Sequence, residues 1–237
     1  MARVRAQDIV VEFPIYASGT RSLKKAIMNT ATGGVLARDA SNRMIVRALD
    51  GLTFELNEGD RVGLIGHNGS GKSTLLRVLA GVYEPRQGYL SVEGKVASML
   101  SITLGMDMEA TGIENVFMRG HIMGVKPRRM RAMLDDIAEF AELGEYLDLP
   151  MKTYSTGMMM RLAFAVSTSI DADIVLMDEW ISVGDASFAE KSRLRMDKLV
   201  REAKIVVLAT HNHGLVRSMC NRIIRLEHGA MVADQDV

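Results

Sequence analysis

Gly66-His67-Asn68-Gly69-Ser70-Gly71-Lys72-Ser73 fits the pattern G-x-x-x-x-G-K-[ST] at every specified position. Glycines let such a loop wrap until successive backbone N–H groups converge on phosphate oxygens, and a following helix adds the positive end of its dipole. In that arrangement the Lys72 ammonium reaches the β- and γ-phosphates, the Ser73 hydroxyl ligates Mg²⁺, and Thr74 reaches the α-phosphate. The plain alternative is a glycine-rich turn with a chance lysine. Against it stand the strand-like run Arg61–Ile65 directly before the loop and the helical spacing of Leu75, Leu76 and Leu79 directly after it. The expectation is a binder of a nucleoside triphosphate.

A second chemical group follows the apolar run Ile174-Val175-Leu176-Met177, which ends in Asp178-Glu179. Carboxylates at the carboxyl end of a buried strand project into the crevice where α/β sheets place their ligands. Asp178 would hold Mg²⁺ through its water shell, and Glu179 is placed to polarise an attacking water. Phosphoryl transfer needs chiefly such positioning and charge neutralisation. Standing alone, an acidic pair could equally cap a strand at the surface. A further apolar run, Ile205–Ala209, leads into Thr210-His211-Asn212. A lone histidine is more often a polar surface or core residue, but this one follows a core strand on the phosphate side and is expected to touch the γ-phosphate.

These groups need a scaffold. Asp8–Phe13 and Gly51–Leu56 read as partly alternating strands, and Arg61–Ile65, Ile174–Met177 and Ile205–Ala209 read as strands covered on both faces of a parallel sheet. Ser187–Ala203 is polar and long enough for a crossover helix. Asn29–Arg43, rich in small residues and Gly33-Gly34, reads as an inserted loop. The stretch from about residue 101 to 170 is helix-prone, with Met133, Leu134, Ile137 and Phe140 at helical spacing, and is expected to form a helical lobe on a core of residues 1–100 and 171–237. The 29 Lys+Arg balance 29 Asp+Glu in 237 residues, so nothing advertises nucleic acid as a partner. The single cysteine, Cys220, excludes an internal disulfide, and no apolar run approaches the ~20 residues of a membrane helix. A soluble, intracellular α/β protein is expected.

With Lys72, Asp178-Glu179 and His211 in this order, the chain resembles the ATP-binding subunits of ABC transporters. Tyr154-Ser155-Thr156-Gly157-Met158-Met159-Met160-Arg161 is similar to the LSGGQ signature of that family: Ser155 and Gly157 match, while Thr156 and Met158 depart from it. Ser155 reads as the N-cap of a helix through Ile170, offering a second helix N-terminus to a γ-phosphate. Asp185 in Ser182-Val183-Gly184-Asp185 matches the family's D-loop aspartate. The resemblance implies a P-loop NTPase fold of ABC type, mostly parallel with an antiparallel part. It implies a head-to-tail homodimer with each ATP, with its Mg²⁺, between the phosphate loop of one subunit and the signature helix of the other, and a membrane permease as partner. Two features depart. The family's glutamine between core and lobe has no counterpart in Val96–Gly105, where its slot falls near Ser101 or Ile102. The adenine-stacking aromatic has only Tyr16 as candidate, and Tyr16 reads equally as strand-edge packing.

Phe13-Pro14-Ile15-Tyr16 with Arg21–Lys25, the signature form Tyr-Ser-Thr-Gly-Met, and Val183–Phe188 resemble one branch of the family, the exporters of O-antigen, teichoic acid and related polysaccharides. The branch implies a peripheral ATPase on the cytoplasmic face of the inner membrane, touching the membrane only through the permease. Some members carry a C-terminal carbohydrate-binding domain; none is expected here, and sugar specificity is expected in the permease. Transport of another substrate, a soluble ATPase acting on nucleic acid or ribosomes, and a non-hydrolysing regulatory module are the competing readings. The basic run Lys126–Arg131 reads as a solvated face or as a contact to lipid or permease.

Overall fold

A computed structural model describes residues 1–15, 35–38, 44–180 and 186–237. The chain divides into two compact units: Met1–Gly94 with Leu176–Trp180 and Lys204–Val237, and Lys95–Val175 with Ile181–Ala203.

In the first unit, β4 (Arg61–Ile65) lies parallel between β8 (Ile205–Ala209) and β9 (Arg222–Glu227), with Val62 opposite both Val207 and Arg222. Every residue of β8 is buried, as its unbroken apolar run requires of a strand covered on both faces. The carboxyl half of β7 (Ile174–Asp178) follows β8 in the sheet. β9 turns through His228-Gly229 into β10 (Ala230–Asp236), and both turn residues have positive φ, +49° and +86°. That is the backbone of the two-residue hairpin turn that matches strand twist.

The antiparallel sheet of this unit has the order β2-β3-β1-β5. Both expected strands are longer than their alternation suggests: β1 spans Arg3–Pro14 and β3 spans Met44–Asn57. Register shifts between Ala6 and Glu12, with Asp8 at φ +48°, break the period of two in β1, so only part of it alternates in the sequence. Of the expected inserted loop Asn29–Arg43, only residues 35–38 lie within the described residues, and they correct it. Val35–Arg38 forms β2, paired with the overhanging start of β3 so that Leu36 faces Val46. β5 (Gln87–Glu93) completes the sheet against β1. Helix α1 (Lys72–Leu79) carries Leu75, Leu76 and Leu79 and ends there, because Gly81 adopts φ +73° and its N–H closes onto Val78 O at 3.0 Å.

The second unit is largely helical: α2 (Gly112–Ile122), α3 (Pro127–Ala141), α4 (Thr156–Thr168) and α5 (Ala186–Glu202), with the short strand β6 (Val96–Ser98). Helix α2 starts on a reciprocal cap: Glu114 N–H donates to Thr111 Oγ1 and Thr111 N–H donates to Glu114 Oε2. Helix α3 starts on Pro127 and ends where Glu142 turns left-handed at φ +56°. Of its apolar stripe, Met130, Ile137 and Phe140 are buried while Met133 and Leu134 are half-buried. Phe140 packs on Phe164 and Phe188 with ring centroids 6.0 and 5.3 Å away. Helix α4 stops at Thr168 rather than Ile170, because the Thr168 and Ser169 hydroxyls donate back to carbonyls of the preceding turn. No described helix is long and apolar enough to cross a membrane.

Candidate functional site

The turn between β4 and α1 is fixed by glycine. Gly71 has φ +109°, and a Cβ there would lie 2.8 Å from the Ala48 carbonyl oxygen. Ser70 is fully buried; its carbonyl accepts the Gly229 N–H at 3.0 Å, which ties the loop to the β9–β10 turn. The ring of His67 packs on His228 at 4.7 Å. Inside the turn, Lys72 Nζ donates to the carbonyls of Gly66 at 2.7 Å and His67 at 3.1 Å. Burial pushes the Lys72 ammonium pKa down, while Asp178 and Glu179 pull it back up. The cation is therefore held at the loop by carbonyl oxygens with two carboxylates nearby.

The acidic pair meets this loop from β7. Ser73 Oγ donates to Asp178 Oδ2 at 2.6 Å, so the two residues expected at Mg²⁺ present adjacent hard oxygens. Glu179 has φ +77°, an uncommon conformation for a residue with a Cβ, costing on the order of 1–3 kcal/mol. Its N–H donates to Ala209 O at 2.8 Å. Its carboxylate is held at both oxygens: Oε2 accepts from Thr210 Oγ1 at 2.7 Å and Oε1 accepts from the His211 N–H at 3.1 Å. Thr210 in turn accepts the Asn212 N–H at 3.1 Å. The strand ends of β7 and β8 thus orient the Glu179 carboxylate through a side chain and a main-chain donor.

A cleft of about 640 Å³ runs along these groups, lined by Asn68, Gly69, Gly71, Lys72, Ser73, Thr74, Asp178, Glu179 and His211 at its polar end. Phe13, Val46 and Ala48 from β1 and β3 line it as well, together with Arg77 from α1. The sequence points to the phosphate loop, the two acids and His211 but not to Phe13, Val46, Ala48 or Arg77 in this cleft, nor to Thr210 as the partner of Glu179. Phe13 meets Tyr83 edge-on at 5.1 Å. The sequence offered one usable signal for it, an aromatic at the end of the first strand. Tyr16 and Asp185 lie outside the described residues.

In the second unit, Ser155 caps α4 and its Oγ accepts the Met158 N–H at 3.2 Å. Thr156 and Gly157 are exposed and Met158 is half-buried. A Cβ on Gly157 would touch nothing closer than Ser155 Oγ at 3.8 Å, so the first turn of α4 presents its backbone openly. Of Ser101 and Ile102, Ser101 is exposed and opens a turn closed by the Leu104 N–H to Ser101 O bond at 3.0 Å, and Ile102 is buried. In the basic run, Lys126, Arg128, Arg129 and Arg131 are exposed, and Arg129 pairs with Asp171.

The chain matches the profile of the ABC transporter family over residues 49–182. It is 44% identical to the O-antigen export system ATP-binding protein RfbE of Yersinia enterocolitica, over 94% of this chain and 93% of that protein. It is 40% identical to the O-antigen export system ATP-binding protein RfbB of Myxococcus xanthus, over 88% of this chain and 47% of that longer protein. It is 37% identical to the teichoic acids export ATP-binding protein TagH of Bacillus anthracis, over 80% of this chain and 34% of that protein. Among solved structures, a dimeric post-hydrolysis state of the ATP-binding cassette MJ0796 bound to ADP and Pi shares the fold with a TM-score of 0.68 at 20% identity, covering 98% of both chains. With a profile match over more than half of its length and 44% identity to a relative over 94% of it, the chain belongs to the ABC transporter family.

Proposed function

We propose that this chain is the ATP-hydrolysing subunit that powers export of a cell-surface polysaccharide through a separate membrane permease. The observation that carries the reading is the Glu179 carboxylate, held by Thr210 and His211 at the edge of the cleft that the phosphate loop lines. The export assignment is supported by the 44% identity to an O-antigen export ATP-binding protein over nearly its full length. In this reading the chain is one nucleotide-binding domain with a core and a helical lobe at about 101–170. It works as a homodimer, peripherally on the cytoplasmic face of the inner membrane.

Each residue then has a defined task. The phosphate-loop amides and the Lys72 ammonium bind the β- and γ-phosphates, with Lys72 exchanging its carbonyl partners for phosphate oxygens. Ser73 and Asp178 would hold Mg²⁺, which would neutralise charge on the phosphate oxygens. Glu179 accepts a hydrogen bond from the attacking water and takes its proton; each carboxylate oxygen keeps a lone pair free beside its present donor. The His211 side chain donates to the γ-phosphate, and Phe13 packs on the base. Ser155, Thr156, Gly157 and Met158 serve the nucleotide of the second subunit, with Asp185 at the same dimer contact.

Glu179→Gln tests both levels. Loss of a general base costs ~10²–10⁴ in rate, whereas Lys72, Ser73 and Asp178 still bind nucleotide. The variant should accumulate as an ATP-bound dimer that elutes earlier on size exclusion with ATP and Mg²⁺ than with ADP. In cells, lipid-linked polysaccharide should build up on the cytoplasmic side. Wild-type turnover by the variant would remove Glu179 as the base; normal surface polysaccharide with a dead ATPase would sink the export assignment alone.

A further inference from the structure

Arg119, on α2, is only 5% exposed, and among the described residues its guanidinium meets no carboxylate. Nη2 donates to Ser167 Oγ at 3.0 Å, Nη1 donates to the carbonyl of Leu104, and Nε has no partner. Burial lowers the Arg119 pKa, and no neighbouring acid opposes it. A desolvated, unpaired charge works against folding, and an apolar side chain of similar length would fill the space without that penalty. What the guanidinium alone can do is hold two polar groups that are remote in the sequence.

Those two groups lie on elements with different roles. Leu104 belongs to the turn Ser101–Gly105, where the family's glutamine is missing. Gly105 has φ +79°, and a Cβ there would lie 2.6 Å from Ile122 Cδ1, so the turn sits closely on α2. One helical turn before Arg119, fully buried Asn115 accepts the Asp107 N–H at 2.8 Å and donates to Asp107 O and Thr111 O at 2.8 and 2.9 Å. This face of α2 therefore fixes the whole segment from Leu104 to Thr111. Arg119 also reaches α4, at Ser167. Helix α4 runs unbroken from there to its cap at Ser155, with Leu162–Thr168 buried.

We propose that Arg119 is a positioning residue, a latch between the turn Ser101–Gly105 and the carboxyl end of α4. Displacement of the turn is then passed along a rigid helix to the Ser155–Met158 end, about 14 Å away at 1.5 Å per residue. The functional weight of this link rests on the reading that the Ser155 end serves the partner's nucleotide, but the link itself is testable without nucleotide.

The test is hydrogen exchange read by mass spectrometry on the full, nucleotide-free chain, comparing wild type, Arg119→Met and Ser167→Ala, each first checked for a cooperative melt. In Arg119→Met the amides of Leu104–Met106 and, remotely, those of Met159–Leu162 should exchange roughly three- to tenfold faster. In Ser167→Ala the start of α4 should respond alike while the turn keeps its protection, because the bond from Arg119 to Leu104 persists. Should Arg119→Met fail to fold, Ser167→Ala decides alone. Exchange at Met159–Leu162 unchanged from wild type, with any loss confined to the neighbours of Arg119 and Ser167, would overturn the latch. Steady-state hydrolysis separates the two readings: faster exchange at the start of α4 with unchanged kcat would leave the latch standing and sink the role of the Ser155 end.

Discussion

Thr210→Val isolates the positioning of the proposed base from its chemistry. Thr210 is 1% exposed and its hydroxyl donates to Glu179 Oε2 at 2.7 Å. A hydrogen bond to a charged group contributes about 1.5–3 kcal/mol net. Glu179 is exposed, so water recovers part of that, and the His211 N–H at 3.1 Å continues to hold Oε1. The remaining loss is about 1–2 kcal/mol, which at 1.36 kcal/mol per tenfold predicts a kcat lowered roughly five- to thirtyfold. Valine keeps the volume at the end of β8, and the Asn212 N–H that loses its acceptor lies at an exposed position where water can replace it. Phosphate release at saturating ATP measures kcat, and titration with a fluorescent ATP analogue measures affinity. The expected pattern is a reduced kcat with nearly unchanged affinity, and Thr210→Ser should restore most of the rate. Wild-type kcat in Thr210→Val would refute the positioning argument; equal losses in rate and affinity would assign Thr210 to nucleotide binding instead.

Three further variants probe the cleft and α4. Lys72→Ala should abolish or severely weaken binding of the ATP analogue, and Ser155→Arg should bind it nearly normally yet not hydrolyse it; mixing the two places both lesions at one shared site and leaves the other whole. Normal hydrolysis by Ser155→Arg alone would end the idea of a composite site. Phe13→Ala should weaken the analogue about tenfold, at the low end of the ~1–3 kcal/mol that stacking a base on an aromatic contributes. Since the change lies far from the reacting groups, kcat at saturation should hold; unchanged affinity would exclude Phe13 from the base end.

The phosphate loop was legible because its chemistry is local: eight consecutive residues carry the glycines, the cation and the hydroxyl, and the strand and helix that aim them are their immediate neighbours. β4 and β8 were legible for a related reason, since strands covered on both faces must be apolar throughout, and both lie where their runs are. The Ser155 cap likewise needs only its own turn. Identity of the acids could be read, but not what holds them. Glu179 is kept in a left-handed backbone and bonded by residues 31 and 32 positions away, a relation that exists only once β7 and β8 lie side by side. Only half of β1, Asp8–Phe13, was legible although Arg3–Ala6 alternates regularly, and β2 exists only because β3 overhangs to receive it. Phe13 reads as any strand residue until the antiparallel sheet carries it to the cleft. Arg119, charged in a helix with no acid at i±4 to explain it, reads as solvent-facing until Leu104 and Ser167 close over it. A motif is legible when neighbouring residues suffice for its chemistry. Where the partner is distant in sequence, the hydrogen bond has no local trace, and folding alone decides it.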